Sequence, residues 1–187
     1  MKNKSLLLTI GIFFIAIGLE AQEAGNFTDV RDNKTYKTVK IGTQIWMAEN
    51  IAYKAIAGCW AYDNDQENVP TYGYLYNWES VNQVCPNGWH LPSDAEWNQL
   101  TTYLGGEDVA KAKLKETGTA HWSNTNNGNR DANNESGFNA LPGGSRTTLG
   151  AFIGIGGNGY WWSSTKVNSS YIVSLRLRAS CLADSGC

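Results

Sequence analysis

Residues 85–100, Cys-Pro-Asn-Gly-Trp-His-Leu-Pro-Ser-Asp-Ala-Glu-Trp-Asn-Gln-Leu, hold the clearest local signal in the chain. Ser93 followed three residues later by Glu96 is a capping box: the serine hydroxyl accepts from an N-terminal amide, and the glutamate carboxylate reaches back to the cap amide. A helix therefore starts after Ser93. Trp97, Leu100 and Leu104 give it one apolar face, and Gly105-Gly106 ends it with residues that tolerate positive φ. A shorter helix is expected over Glu107 to Lys115. His90, set between Trp89 and Leu91 just before the cap, suits a structural hydrogen bond better than catalysis. The box accounts for Glu96 without chemistry.

Working outward toward the N-terminus, Thr28 to Lys34 has turn chemistry and Thr35 to Ile41 alternates in the manner of a half-buried strand. Gly42-Thr43 turns the chain and Gln44 to Met47 returns it, so residues 28–50 are expected to form a β-hairpin. Residues 22–27 read as a polar lead-in without periodicity. Leu75, Trp78, Val81 and Cys85 recur at helical spacing, which predicts an amphipathic helix over 74–84. On the other side, residues 117–136 are almost wholly polar, a long surface loop of the kind that often carries function. Short β segments bounded by glycines follow over 137–146, 151–155, 159–165 and 170–177. Strands, two main helices, a long loop and further strands make an α+β fold with segregated helices.

Of 187 residues, 42% are hydrophobic and 17% charged, and Trp and Tyr number 8 and 9, which excludes a disordered composition. A formal net charge of −2 and no run of more than two basic residues give no phosphate-tracking surface, so no nucleic acid partner is expected. Aromatic-rich and weakly charged, the composition suits a loop-heavy exported domain that touches sugars or other neutral polymers. Lys2 and Lys4 precede the apolar run Leu6 to Gly18, and Ala21 stands before Gln22, the pattern of a secretory signal peptide over 1–21. The run is shorter than the roughly 20 residues of a bilayer span. Residues 22–187 are then one exported domain, periplasmic or extracellular, not an integral membrane protein. It is not lipid-anchored through an N-terminal cysteine, since the first cysteine is Cys59. Export would put Cys59, Cys85, Cys181 and Cys187 in an oxidising compartment, where an even count favours disulfides and three pairings can be drawn. Neither C-x-x-C spacing nor a histidine near a cysteine pair supports structural zinc.

Asp63, Asp65 and Glu67 place three carboxylates at alternate loop positions, where hard oxygen ligands could converge on calcium. The EF-hand pattern is absent, with Tyr74 at its twelfth position, and a solvated turn is the competing reading. Calcium is thus the one candidate cofactor. Trp122, Tyr160 and Trp162 are candidate platforms for sugar rings. Adjacent strand residues face opposite ways, so one of Trp161 and Trp162 belongs to the core. Trp46, Trp60, Trp78, Trp89 and Trp97 are expected in the core. Ser-His-Asp, Cys-His and H-E-x-x-H patterns are absent, His121 lies in the polar loop without a spaced partner, and no catalytic residue is assigned.

The blocks TDVRDNKTYKTVKIGTQIWMAENI (28–51), GCWAYDND (58–65), YGYLYNWES (72–80), CPNGWHLPSDAEWNQL (85–100), GFNALPGG (137–144) and GYWWSST (159–165) resemble the Fibrobacter succinogenes major paralogous domain, found in exported bacterial proteins. The resemblance implies a C-type-lectin-like fold. It also implies kinship with sulfatase-modifying, formylglycine-generating enzymes, which have a segment similar to WHLPSDAEW. Cys181 and Cys187 lack the sequence context of those enzymes' paired cysteines, and the calcium-dependent sugar signatures of C-type lectins do not occur. Members continue past the WWSST block into a closing segment resembling GFSVRCV, whose strand returns beside the N-terminal hairpin. That segment has no clear counterpart here, so a missing closing strand and an unpaired hairpin edge are expected. Cys85 would pair with the closing-strand cysteine, a place that Cys181 or Cys187 can take if the Cα separation is near about 5.5 Å. Cys85 with Cys181 is the expected bond. The function expected is that of a non-catalytic exported module that binds carbohydrate or a cell-surface partner through polar loops. The alternatives are a structural surface protein or a truncated family copy without independent activity and, more remotely, an enzyme related to the formylglycine-generating enzymes.

Overall fold

The computed structural model describes residues 23–123, 129, 131–165 and 181–183. The signal peptide expected over 1–21, Cys187 and the strand expected over 170–177 lie outside them. Strands β1 (Ala24–Asp29), β2 (Lys34–Ile41) and β3 (Gln44–Met47) form an antiparallel meander. Asn33 and Gly42 make its two turns at φ 60° and 62°, in the left-handed region that Asn and Gly tolerate. The β2–β3 hairpin is the one read from the alternation. β1 corrects the polar lead-in: most of its side chains are exposed, so it has no hydrophobic period, and its backbone pairing with β2 makes it a strand.

The closing strand is present, which overturns the expectation of its loss. β9 (Leu182–Ala183) lies between β3 and β6 (Trp89–His90), antiparallel to both, in a five-stranded sheet of order β1-β2-β3-β9-β6. Leu182 pairs with Trp46 and His90, and the Met47 amide donates to the Cys181 carbonyl at 3.1 Å. Two residues at a sheet centre are too few to show a period, and only their neighbours reveal them. A disulfide joins Cys85 to Cys181, with Cα atoms 5.8 Å apart, and pins β9 next to β6.

Alternation along β2 sends its side chains into two layers. Val39 and Ile41 join Trp46, Trp97, Leu100, Leu104, Leu114, Phe138 and Trp161 beneath the helices α3 (Asp94–Tyr103) and α4 (Glu107–Leu114). Tyr36 enters the opposite layer with Met47, Ile51, Tyr76, Val81, Val84 and Leu91. Both helices lie where the sequence puts them, with Gly105 and Gly106 between them at φ 106° and 97°. The helix expected over 74–84 is corrected. Leu75–Tyr76 is strand β5, paired with β4 (Cys59–Trp60), and only Trp78–Val81 turns as helix α2, capped by Asn77. Val69–Tyr72 forms the single-turn α1. Gly143–Arg146 and Phe152–Ile155 pair as β7 and β8.

Residues 159–165, expected as a strand, run irregularly because their polar groups bind the start of α3. The Ser164 amide donates to Pro92 O, the Asp94 amide to Thr165 Oγ1, and the Trp97 indole to Trp162 O, at 2.8, 2.9 and 3.1 Å. The described chain is thus α+β, and none of its helices is long and apolar enough to cross a membrane.

Candidate functional site

The loop after α4 is tied down by backbone bonds before its side chains converge. The Ala140 amide donates to Leu114 O and the Glu116 amide to Ala140 O, at 2.8 and 3.1 Å. Asn129 Nδ2 donates to the carbonyls of Glu116 and Gly118. This fixes Glu116, whose carboxylate meets His121 Nδ1 at 2.8 and 3.0 Å through its two oxygens. Glu116 is mostly buried, and the His121 ring stands edge-on to Tyr72 at 5.7 Å. With Nδ1 held by the carboxylate, His121 Nε2 has no partner among the described residues.

The pair borders a cleft of ≈ 170 Å³ between three segments distant in sequence. Glu49 and Asn50 come from the turn after β3, Pro70 and Thr71 from α1, and Asn139 and Leu141 from the strand-like run before β7, with Phe138 and Trp161 beneath. Asn50 Nδ2 donates to Tyr72 O at 3.1 Å and so holds α1 against the sheet. Asn139, at φ 56°, exchanges hydrogen bonds with Asn134 at 2.9 and 3.3 Å. Carboxylate acceptors, amide groups and an imidazole thus surround an aromatic floor. The cleft lining among the described residues includes neither serine nor cysteine.

The residues singled out from the sequence are elsewhere or otherwise engaged. Trp122 is 5% exposed, its indole N–H donates to Ala140 O at 3.0 Å, and Lys115 Nζ lies 4.4 Å from its ring centroid, so it offers no stacking face to solvent. Of the adjacent pair, Trp161 is buried, while the half-buried Trp162 donates to Tyr76 O at 3.2 Å and packs on Trp78 at 5.7 Å. Tyr160 is half-buried and does not border the cleft. Among the tryptophans assigned to the core, Trp46 and Trp97 are buried, whereas Trp60, Trp78 and Trp89 are half-buried. Asp63, Asp65 and Glu67 are exposed and do not converge: Asp65 Oδ1 accepts from the Glu67 amide at 3.0 Å, capping a short turn. Among the described residues no group of three His, Cys, Asp or Glu side chains is placed to hold a metal ion.

Ser93 and Glu96 form the complete capping box, and His90 Nε2 joins it 2.9 Å from Glu96 Oε1. Burial pushes the Glu96 carboxyl up, but hydrogen bonds from Ser93 and His90 outweigh it and hold the group below its ordinary value. Cys59, a free thiol, is half-buried and donates to Ala55 O at 3.2 Å, and burial pushes its pKa up. That is the opposite of what an activated nucleophile needs.

Sequence reading missed Glu116 with His121 because a five-residue separation across a loop matches no helix or strand period. It also missed Asp29, fully buried and gripped by Arg31, whose Nη2 reaches Asp29 Oδ2 at 2.6 Å and Val84 O at 2.7 Å. That pair ties the β1–β2 turn to the segment entering the disulfide. Residues 39–181 match the family model described as the Fibrobacter succinogenes major domain. No curated protein and no solved structure matches the chain.

Proposed function

This chain belongs to the Fibrobacter succinogenes major domain family, and on that premise we propose that it is an exported, non-catalytic module of C-type-lectin-like fold. Its ligand is a polyhydroxylated, carbohydrate-type molecule, held in the Glu116–His121 cleft. The observation that carries this reading is the convergence of acceptors and donors from three separate segments over the Phe138–Trp161 floor. Sugars need that combination, since their hydroxyls both donate and accept while their ring faces are apolar. His121 Nε2, without a partner among the described residues, is a polar group a hydroxyl can satisfy. The return of β9 beside the N-terminal meander supports the lectin-like reading, as the resemblance implies for a closing strand. The Cys85–Cys181 bond supports export, because disulfides persist in oxidising compartments.

A glycan and polysaccharide array probed with residues 22–187 tests the reading. One class of glycan is expected to bind, and Glu116→Gln and His121→Ala are each expected to weaken it at least tenfold, about 1.4 kcal/mol, without changing the thermal midpoint by more than a few degrees. Absence of binding, or binding indifferent to both substitutions, would return the chain to the structural-surface reading.

A further inference from the structure

Behind Trp161 lies a second cavity, of ≈ 160 Å³, with a different character. Its walls include Ala110, Leu114, Trp97, Trp122, Phe138 and Trp161, with Glu107, Lys111 and Lys115 also bordering it, so Trp122, a candidate platform for sugars in solvent, instead faces a largely apolar crevice. An apolar cavity of about 150 Å³ is large enough to hold a benzene ring. At the edge of this one stands Lys115, half-buried, with its Nζ 4.4 Å from the Trp122 centroid. The neighbouring ionic groups are committed elsewhere. Glu107 and Asp108 pair with Lys111 at 3.3 and 3.2 Å, Glu135 with Lys113 at 2.8 Å, and Glu116 with His121. Among the described residues Lys115 alone of this group has no carboxylate partner. Burial, and then the charge of Lys111, push its pKa down. The Trp122 face holds this ammonium by a cation–π contact but accepts none of its N–H groups in a conventional hydrogen bond, which leaves them to an anionic ligand.

We propose that this crevice is a second binding site, for a small aromatic carboxylate whose ring lies among Trp97, Trp122 and Trp161 and whose carboxylate pairs with Lys115 Nζ. Size selects a single ring, the apolar walls select its face, and Lys115, the bordering cation without a carboxylate partner among the described residues, selects the charge. The site does not depend on glycan binding in the cleft, although Phe138, Ala140 and Trp161 line both cavities.

Benzoate titrated into residues 22–187 is the probe, followed by tryptophan fluorescence and by the indole N–H resonances. Benzyl alcohol supplies the ring without the charge, and acetate the charge without the ring. Benzoate is expected to shift the Trp97 and Trp122 indole signals, benzyl alcohol to bind at least tenfold more weakly, and acetate to leave the signals unmoved. Lys115→Met, which keeps the aliphatic stem, is expected to cut benzoate affinity at least tenfold and leave benzyl alcohol unchanged. Lys115→Gln serves as the second variant should the methionine variant fold poorly. The proposal is overturned if benzoate shifts no indole at millimolar concentration, if acetate acts as benzoate does, or if folded Lys115 variants bind benzoate undiminished.

Discussion

Single side chains fix how this fold responds to acid. Asp29 and Glu96 are both held below their ordinary pKa: burial opposes this in each case, but hydrogen bonds outweigh it, from Arg31 to the first and from Ser93 and His90 to the second. A carboxylate with a depressed folded pKa binds fewer protons folded than unfolded, so its stabilisation is complete above the unfolded value of about 4. It is lost as pH falls from there through the folded value. Urea unfolding at pH 7, 5, 4 and 3 is expected to show the midpoint dropping below pH 5, with a shallower drop in Asp29→Asn. At pH 7 that variant is expected to lose about 2 kcal/mol, because a partly buried guanidinium is left without its charge partner. An unchanged acid limb in the variant would remove Asp29 from the account. The box was legible because Ser93 and Glu96 are three residues apart and the rule is local. Asp29 was not, since its partners include Val84 O, far along the chain.

Elements were legible where one face repeats at one period against one neighbour. Helix α3 meets that condition, with Trp97 and Leu100 buried in the same layer and a complete cap at its start. Ser93→Ala is expected to cost about 1 kcal/mol in thermal or urea unfolding, a typical loss for an N-cap hydroxyl. A change under about 0.3 kcal/mol would mean that His90 and the Ser93 amide hold Glu96 in place unaided. The segment 74–84 fails the condition although its apolar residues recur at helical spacing. Leu75 is buried where it pairs with Trp60, Val81 in a single helical turn, and Cys85 is half-buried at its disulfide. Three different burial partners mimic one helical stripe. β1 fails in the opposite way, as an edge strand whose exposed side chains leave no period to read.

The whole molecule depends on bringing its distant segments to the centre of one sheet. β9 occupies the position between β3 and β6, and the Cys85–Cys181 bond, at a sequence separation of 96, closes a long loop that ends directly before it. Loop closure of that length is worth about 4.7 kcal/mol in chain-entropy terms. Cys181→Ser is therefore expected to lower stability by several kcal/mol, and dithiothreitol to lower the midpoint of the native chain but not of the variant. Equal sensitivity of the two would contradict the role given to the bond. The candidate cleft belongs to this scale as well, for Glu49, Thr71, Glu116 and Asn139 come together only when sheet, α1 and the loop after α4 are assembled. The polar loop could be recognised from composition, whereas the partners its side chains meet could not. The most direct test of the cleft is an amide and side-chain chemical-shift map recorded with an oligosaccharide selected on the array. The account predicts shifts gathered at Asn50, Thr71, Glu116, His121 and Asn139, and shifts confined to another face, such as the β7–β8 hairpin, would contradict it.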